Sequence, residues 1–74
     1  MSKTKVYRVR LYDISNEKSV ISRRMATPEG AAYMGGEIID GTGYVVDVSE
    51  LEPGDAWTPL DFEPAALGFK KALD

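Results

Sequence analysis

Three groups of residues have types and spacing that could support chemistry: the glycine-rich run GAAYMGGE from Gly30 to Glu37, the arginines Arg8, Arg10 and Arg24 with Tyr12 among them, and the carboxylates between Asp47 and Glu63. Gly30 and Gly35 stand five residues apart, the skeleton of a phosphate-binding loop. Such a loop needs a lysine and a hydroxyl residue after its second glycine, one to neutralise the terminal phosphates and one to hold magnesium. Gly36 and Glu37 occupy those places, and a carboxylate would repel phosphate. DGTGY, Asp40 to Tyr44, lacks the third glycine of a dinucleotide fingerprint and runs on into apolar residues rather than a helix. The glycines therefore read as packing positions, where the missing side chain lets a backbone approach a bulky neighbour such as Tyr7 or Tyr44, or a second subunit.

Arginines interleaved with an aromatic residue on an open sheet are the ingredients of single-strand nucleic-acid binding, with guanidinium groups on phosphates and a ring stacked on a base. Arg8, Arg10, Tyr12 and Arg24 form such a set. The competing reading is pairing within the chain, with Asp47 on a neighbouring strand expected within reach of Arg8 or Arg10.

The carboxylates Asp47, Glu50, Glu52, Asp55, Asp61 and Glu63 show no calcium-loop spacing and read as a solvated acidic surface, so neither a metal nor a cofactor is expected. Cysteine and histidine are both absent. With them go the commonest general base, the most reactive nucleophile at neutral pH and the commonest transition-metal ligands. Within DAWTPLDF, Trp57, Leu60 and Phe62 are either anchors for a protein partner or a strap that closes a small core.

The elements that would position these groups are legible from periodicity. Val6 to Asp13 alternates, with Tyr7, Val9 and Leu11 on one face and Val6, Arg8, Arg10 and Tyr12 on the other. Ser19 to Ala26 returns as a second strand after a loop of four or five residues, and Arg23 interrupts its apolar alternation as on an edge strand. Thr27, Pro28 and Glu29 supply a capping hydroxyl, a residue pre-organised for the first helical position and a carboxylate at the positive dipole end. They start a helix expected from Pro28 to Ile39, with Ala31, Met34, Gly35 and Ile38 as its buried stripe and Gly41 as a left-handed stop. Tyr44 to Leu51 alternates as a third strand. Beyond it lies an irregular strap, and Pro64 to Asp74 is expected to form a tail or short C-terminal helix.

This order predicts an α+β fold of β-β-α-β type. Its sheet is three-stranded and mainly antiparallel, in order 2-1-3, with the helix on one face. One domain over residues 1–63 is expected, with 64–74 as the C-terminal tail. With 43% hydrophobic residues in 74, the chain has the composition of an ordinary small globular domain.

Charge is divided unevenly along the chain. Residues 1–26 hold seven cations and two carboxylates, a net of +5, whereas residues 27–74 hold two lysines and ten carboxylates, a net of −8. Two such halves either fold against each other or face different partners.

No apolar run approaches the 18 to 20 or so residues that span a bilayer, and MSKTK is unlike a signal peptide. These features point to a cytoplasmic interaction or regulatory module of bacterial type, without enzymatic activity. It would bind a protein partner, unidentified from the sequence, and self-associate as a homodimer through a sheet edge. Nucleic-acid binding through Arg8, Arg10, Tyr12 and Arg24 is the alternative, and a carboxylate-based enzyme ranks third.

Overall fold

The computed structural model describes residues 2–73. Its longest element is β1, Lys3–Asp13. At about 3.3 Å per residue these 11 residues account for most of the molecule's 40 Å long axis. A tight turn over residues 14–17 follows, in which Asp13 Oδ1 accepts from the backbone amides of Ser15 and Asn16 at 3.0 and 3.3 Å. β2, Lys18–Ala26, then returns antiparallel to β1.

Thr27 caps α1, Pro28–Met34, as its residue type predicts: the hydroxyl accepts from Gly30 N at 3.1 Å. The helix is shorter than the expected Pro28 to Ile39. It ends at Gly35, which adopts φ 75° and sends its amide back to Ala32 O, while Gly36 N donates to Ala31 O at 3.0 Å. These bonds satisfy carbonyls that the last turn leaves open. Continuing a helix through both glycines would cost about 1 kcal/mol at each. The stop assigned to Gly41 is therefore made six residues earlier, and Glu37–Ile38 becomes a short strand, β3.

Gly36 is a close-approach position, although its neighbour is neither Tyr7 nor Tyr44. A Cβ there would lie 2.6 Å from Leu11 Cδ2 and 2.7 Å from Arg10 O and Val9 Cγ1. Missing side-chain bulk thus lets β3 start directly against β1.

β4, Tyr44–Asp47, lies antiparallel to the first part of β1, and β5, Lys70–Lys71, pairs with β4. The expected three-stranded sheet is therefore five-stranded, in order β2-β1-β4-β5, with β3 also paired to β1 at Val9 and Arg10. Between the β3 and β4 contacts, Arg8 N donates to Thr42 Oγ1 at 3.0 Å and Arg8 O accepts from Ile39 N at 2.9 Å. The turn joining β3 to β4 thereby satisfies the backbone of Arg8, which lies between the two contacts. β4 is shorter than the expected Tyr44 to Leu51, because β1 ends opposite Asp47. The chain there turns into a 3-10 helix, Val48–Glu50. The expected C-terminal helix is absent from the described residues: turns over 64–68 lead into β5, and Asp74 lies outside them.

Two apolar clusters sandwich the sheet. Val9, Ala26 and Ala31 form one, with Leu11, Met34, Ile38 and Trp57 around them, and this is the face that α1 covers. Val6, Met25, Val46 and Phe62 form the other, flanked by Tyr44, Leu51 and Phe69. The strap covers this second face, closing Phe62 against Phe69 with ring centroids 6.2 Å apart. Both faces of β1 are therefore apolar near its middle, and Val6, Tyr7 and Val9 are all buried.

Candidate functional site

β2 is an edge strand, and its outer edge is divided into two parts. From Arg23 to Ala26 the strap occupies it: Trp57 bridges Ala26, Thr58 N donates to Met25 O at 2.8 Å, and Asp61 N donates to Arg23 O at 2.8 Å. Side chains fasten the same contact. Met25 N donates to Thr58 Oγ1 at 3.0 Å, Arg24 Nη1 to Thr58 O at 2.9 Å, and Arg23 Nε to Asp61 Oδ1 at 3.1 Å. From Lys18 to Ser22, among the described residues, no backbone hydrogen bond crosses the outer edge. This open half carries Val20 and Ile21, 40% and 53% exposed, and neighbouring Tyr12 and Ile14 are exposed as well.

The pairing of β1 with β2 accounts for this division. Arg8 faces Met25 but Arg10 faces Ile21, so β2 uses two more residues than β1 across that interval. An extra pair preserves the alternation of faces while bending the strand. Met25 consequently stays in the core, and the distal hairpin carries Val20 and Ile21 beyond it.

The predicted arginine set is dispersed. Arg10 and Tyr12 line a hollow of about 300 Å³ with Ser19, Gly35, Gly36 and Glu37; Arg8 and Arg24 are not among its walls. Glu37 stands 3.7 Å from Arg10 Nη1, and Arg24 is bound to the strap. Asp47 pairs with neither Arg8 nor Arg10. Because the register sets it opposite Lys3, it accepts from Lys3 Nζ at 3.2 Å. The sheet face expected to carry the basic set is also the face on which Val6 and Met25 are covered by Phe62.

Lys3–Asp47, Arg10–Glu37 and Arg23–Asp61 each join a cation from the basic first third of the chain to a carboxylate from the acidic remainder. The two halves meet through such pairs. All three are at the surface, where an ion pair contributes about 0–1 kcal/mol. They orient the strap and β3 more than they stabilise them.

The three strap residues separate in the same way. Phe62 is buried in the core, Trp57 is half-buried against the helix-side cluster, and Leu60 is 51% exposed. The alternation signal that could have placed Phe62 was present in the sequence: Val6, Tyr44 and Val46 lie on the face away from α1 and require a cover. Among the described residues no group of three or more carboxylates is placed to hold a metal ion, and no helix is long and apolar enough to cross a membrane. No family model, no curated protein and no solved structure matches the chain.

Proposed function

We propose that this chain is a non-catalytic interaction module that associates through the open half of β2, with a second copy of itself as the partner. The observation that carries this reading is the edge from Lys18 to Ser22, which has no hydrogen-bonding neighbour among the described residues and presents Val20 and Ile21 to solvent. Unpaired strand edges recruit another strand by main-chain hydrogen bonding. Two copies placed antiparallel about Val20 set Lys18 opposite Ser22 and Ser19 opposite Ile21, so no like charges meet. Such an interface is isologous and closes at the dimer.

Nucleic-acid binding has less support, because Arg10 and Arg24 both hold partners within the chain. Sedimentation equilibrium over a wide concentration range tests the proposal. A monomer–dimer equilibrium is expected, and Val20→Lys, which sets two ammonium groups opposite each other, should shift it to monomer. A chain that stays monomeric throughout overturns self-association.

A further inference from the structure

From Thr27 to Phe69 the chain carries nine carboxylates and no lysine or arginine. Two of the nine, Glu29 and Asp55, stand beside aromatic side chains where α1 meets the strap. Glu29 and Tyr33 are four residues apart on α1 and so share a helix face, and Tyr33 is 85% exposed. Ala56 O accepts from Thr27 N at 3.1 Å, and a Cβ at Gly30 would overlap that oxygen, so the bare glycine lets the helix lie directly on the strap. Asp55 N donates to Glu52 O and Glu52 N to Trp57 O, each at 2.9 Å, which closes the loop that carries Asp55 and Trp57. Tyr33, Gly54, Asp55, Ala56 and Trp57 line a hollow of about 440 Å³, and Tyr33 borders a second, of about 350 Å³, with Glu29 and Ala32. Among the described residues, neither Glu29 nor Asp55 is in an ion pair, and no lysine or arginine lines either hollow. Arg24 reaches the strap one residue on from Trp57, where it is held by Thr58 O at 2.9 Å.

We propose that this surface binds a basic segment of a partner protein, with an arginine side chain seated between Tyr33 and Trp57 against Asp55. A guanidinium is attracted to aromatic faces, and its fork of donors matches a carboxylate bidentately. Glu29, which shares Tyr33 as a neighbour, meets a second cation of the same segment. Charge decides the occupant. Carboxylates with no cation among them repel the phosphates of a nucleic acid and of an anionic membrane surface. A hard divalent cation needs several oxygen ligands, and Asp55 is the one carboxylate lining the larger hollow. A neutral ligand would stack on the rings but gain nothing from the surrounding charge. Neither hollow includes a residue of β2, so occupation does not depend on self-association.

Trp57 is the one tryptophan of the chain, so its emission reports on the larger hollow directly. The full chain is titrated with the peptide Gly-Arg-Gly-Arg-Gly, blocked at both ends, and with its citrulline counterpart, which keeps the side-chain shape and removes the charge. The arginine peptide is expected to change Trp57 emission saturably and to shift the amides of Tyr33 and Asp55 in two-dimensional NMR, and the citrulline peptide to do neither. Tyr33→Ala removes an exposed ring and sets a strong helix former on α1; it should weaken binding by about three- to tenfold. Asp55→Asn, a residue equally suited to a turn, should weaken it by about threefold. Glu63→Gln, exposed and outside both hollows, should leave it unchanged. The proposal is overturned if the arginine peptide moves neither signal, if the citrulline peptide binds as well, or if Tyr33→Ala or Asp55→Asn binds unchanged. Equal weakening by Glu63→Gln and Asp55→Asn would also overturn it, since the attraction would then be to the net charge and not to the hollow.

Discussion

Thr58 and Met25 bind each other twice: Thr58 N donates to Met25 O at 2.8 Å, and Met25 N donates to Thr58 Oγ1 at 3.0 Å. Both residues are fully buried, and the pair fixes the strap to β2 at the edge of the core. Thr58→Val keeps the shape but leaves the Met25 amide without an acceptor in an interior site. A loss of about 1–3 kcal/mol is expected from denaturant unfolding. Thr58→Ser retains the acceptor and should lose less; a loss in Thr58→Ser with none in Thr58→Val would show that the methyl group, not the hydroxyl, matters.

Gly35 and Gly36 should respond differently to substitution. Gly35 has open space around it but a positive φ of 75°, so Gly35→Ala should cost about 1–2 kcal/mol and Gly35→Asn should recover part of that. A Cβ at Gly36 would meet β1 at 2.6 to 2.7 Å, and Gly36→Ala should cost about 1–3 kcal/mol through overpacking, with Gly36→Asn worse still. Thermal unfolding of the four variants checks the ordering.

The acid limb of the stability curve involves Asp61 and Asp13. Hydrogen bonding from Arg23 holds the Asp61 carboxyl below its ordinary 3.8, and hydrogen bonding from Asn16 does the same for Asp13. A carboxyl whose folded value is depressed favours the fold fully above its unfolded value, and that contribution disappears as pH falls through the lowered folded value. Arg23→Gln should therefore raise the titration of Asp61 towards the ordinary value and leave Asp13 unmoved. Carboxyl-detected NMR titration reads both; a shift in Asp13 alone would contradict the assignment.

Hydrogen exchange should divide β2 at Ser22. The amide of Met25, bonded to Thr58 Oγ1, is expected to exchange slowly in dilute solution, while amides from Lys18 to Ser22 exchange faster as a group. Raising the protein concentration should slow that distal group selectively, because edge pairing protects it. Concentration-independent exchange there would count against the edge as the contact.

Local chemistry made parts of this fold readable. The alternation of β1, the turn after Asp13 and the Thr27 cap each depend on a few adjacent residues, and each appears where residue type places it. The α+β class follows from them. Periodicity overstates the helix because Met34 and Ile38 continue an apolar spacing across Gly35 and Gly36; both residues pack on the helix-side cluster, but one is on α1 and the other on β3. β5 was unreadable because a two-residue strand, Lys70–Lys71, has no periodicity. The scattering of the arginine set also lay beyond the sequence. It depends on a register shift between Arg8 and Arg10 and on where the strap docks, and both are settled by contacts between residues far apart in the chain.

The closure of the second apolar cluster by a distant strap bears on folding kinetics. Val6, Met25 and Val46 remain uncovered until Phe62 arrives, and Met25 and Thr58 are 33 residues apart. A loop that long must be ordered before its contacts repay the lost chain entropy, so folding is slower than for a helical domain of this length. The β1–β2 hairpin, joined by a four-residue turn, can form first and offer its whole outer edge, Arg23 to Ala26 included, until the strap arrives. For that interval the strap and a neighbouring chain compete for the same backbone groups, and the outcome decides between the folded domain and aggregation.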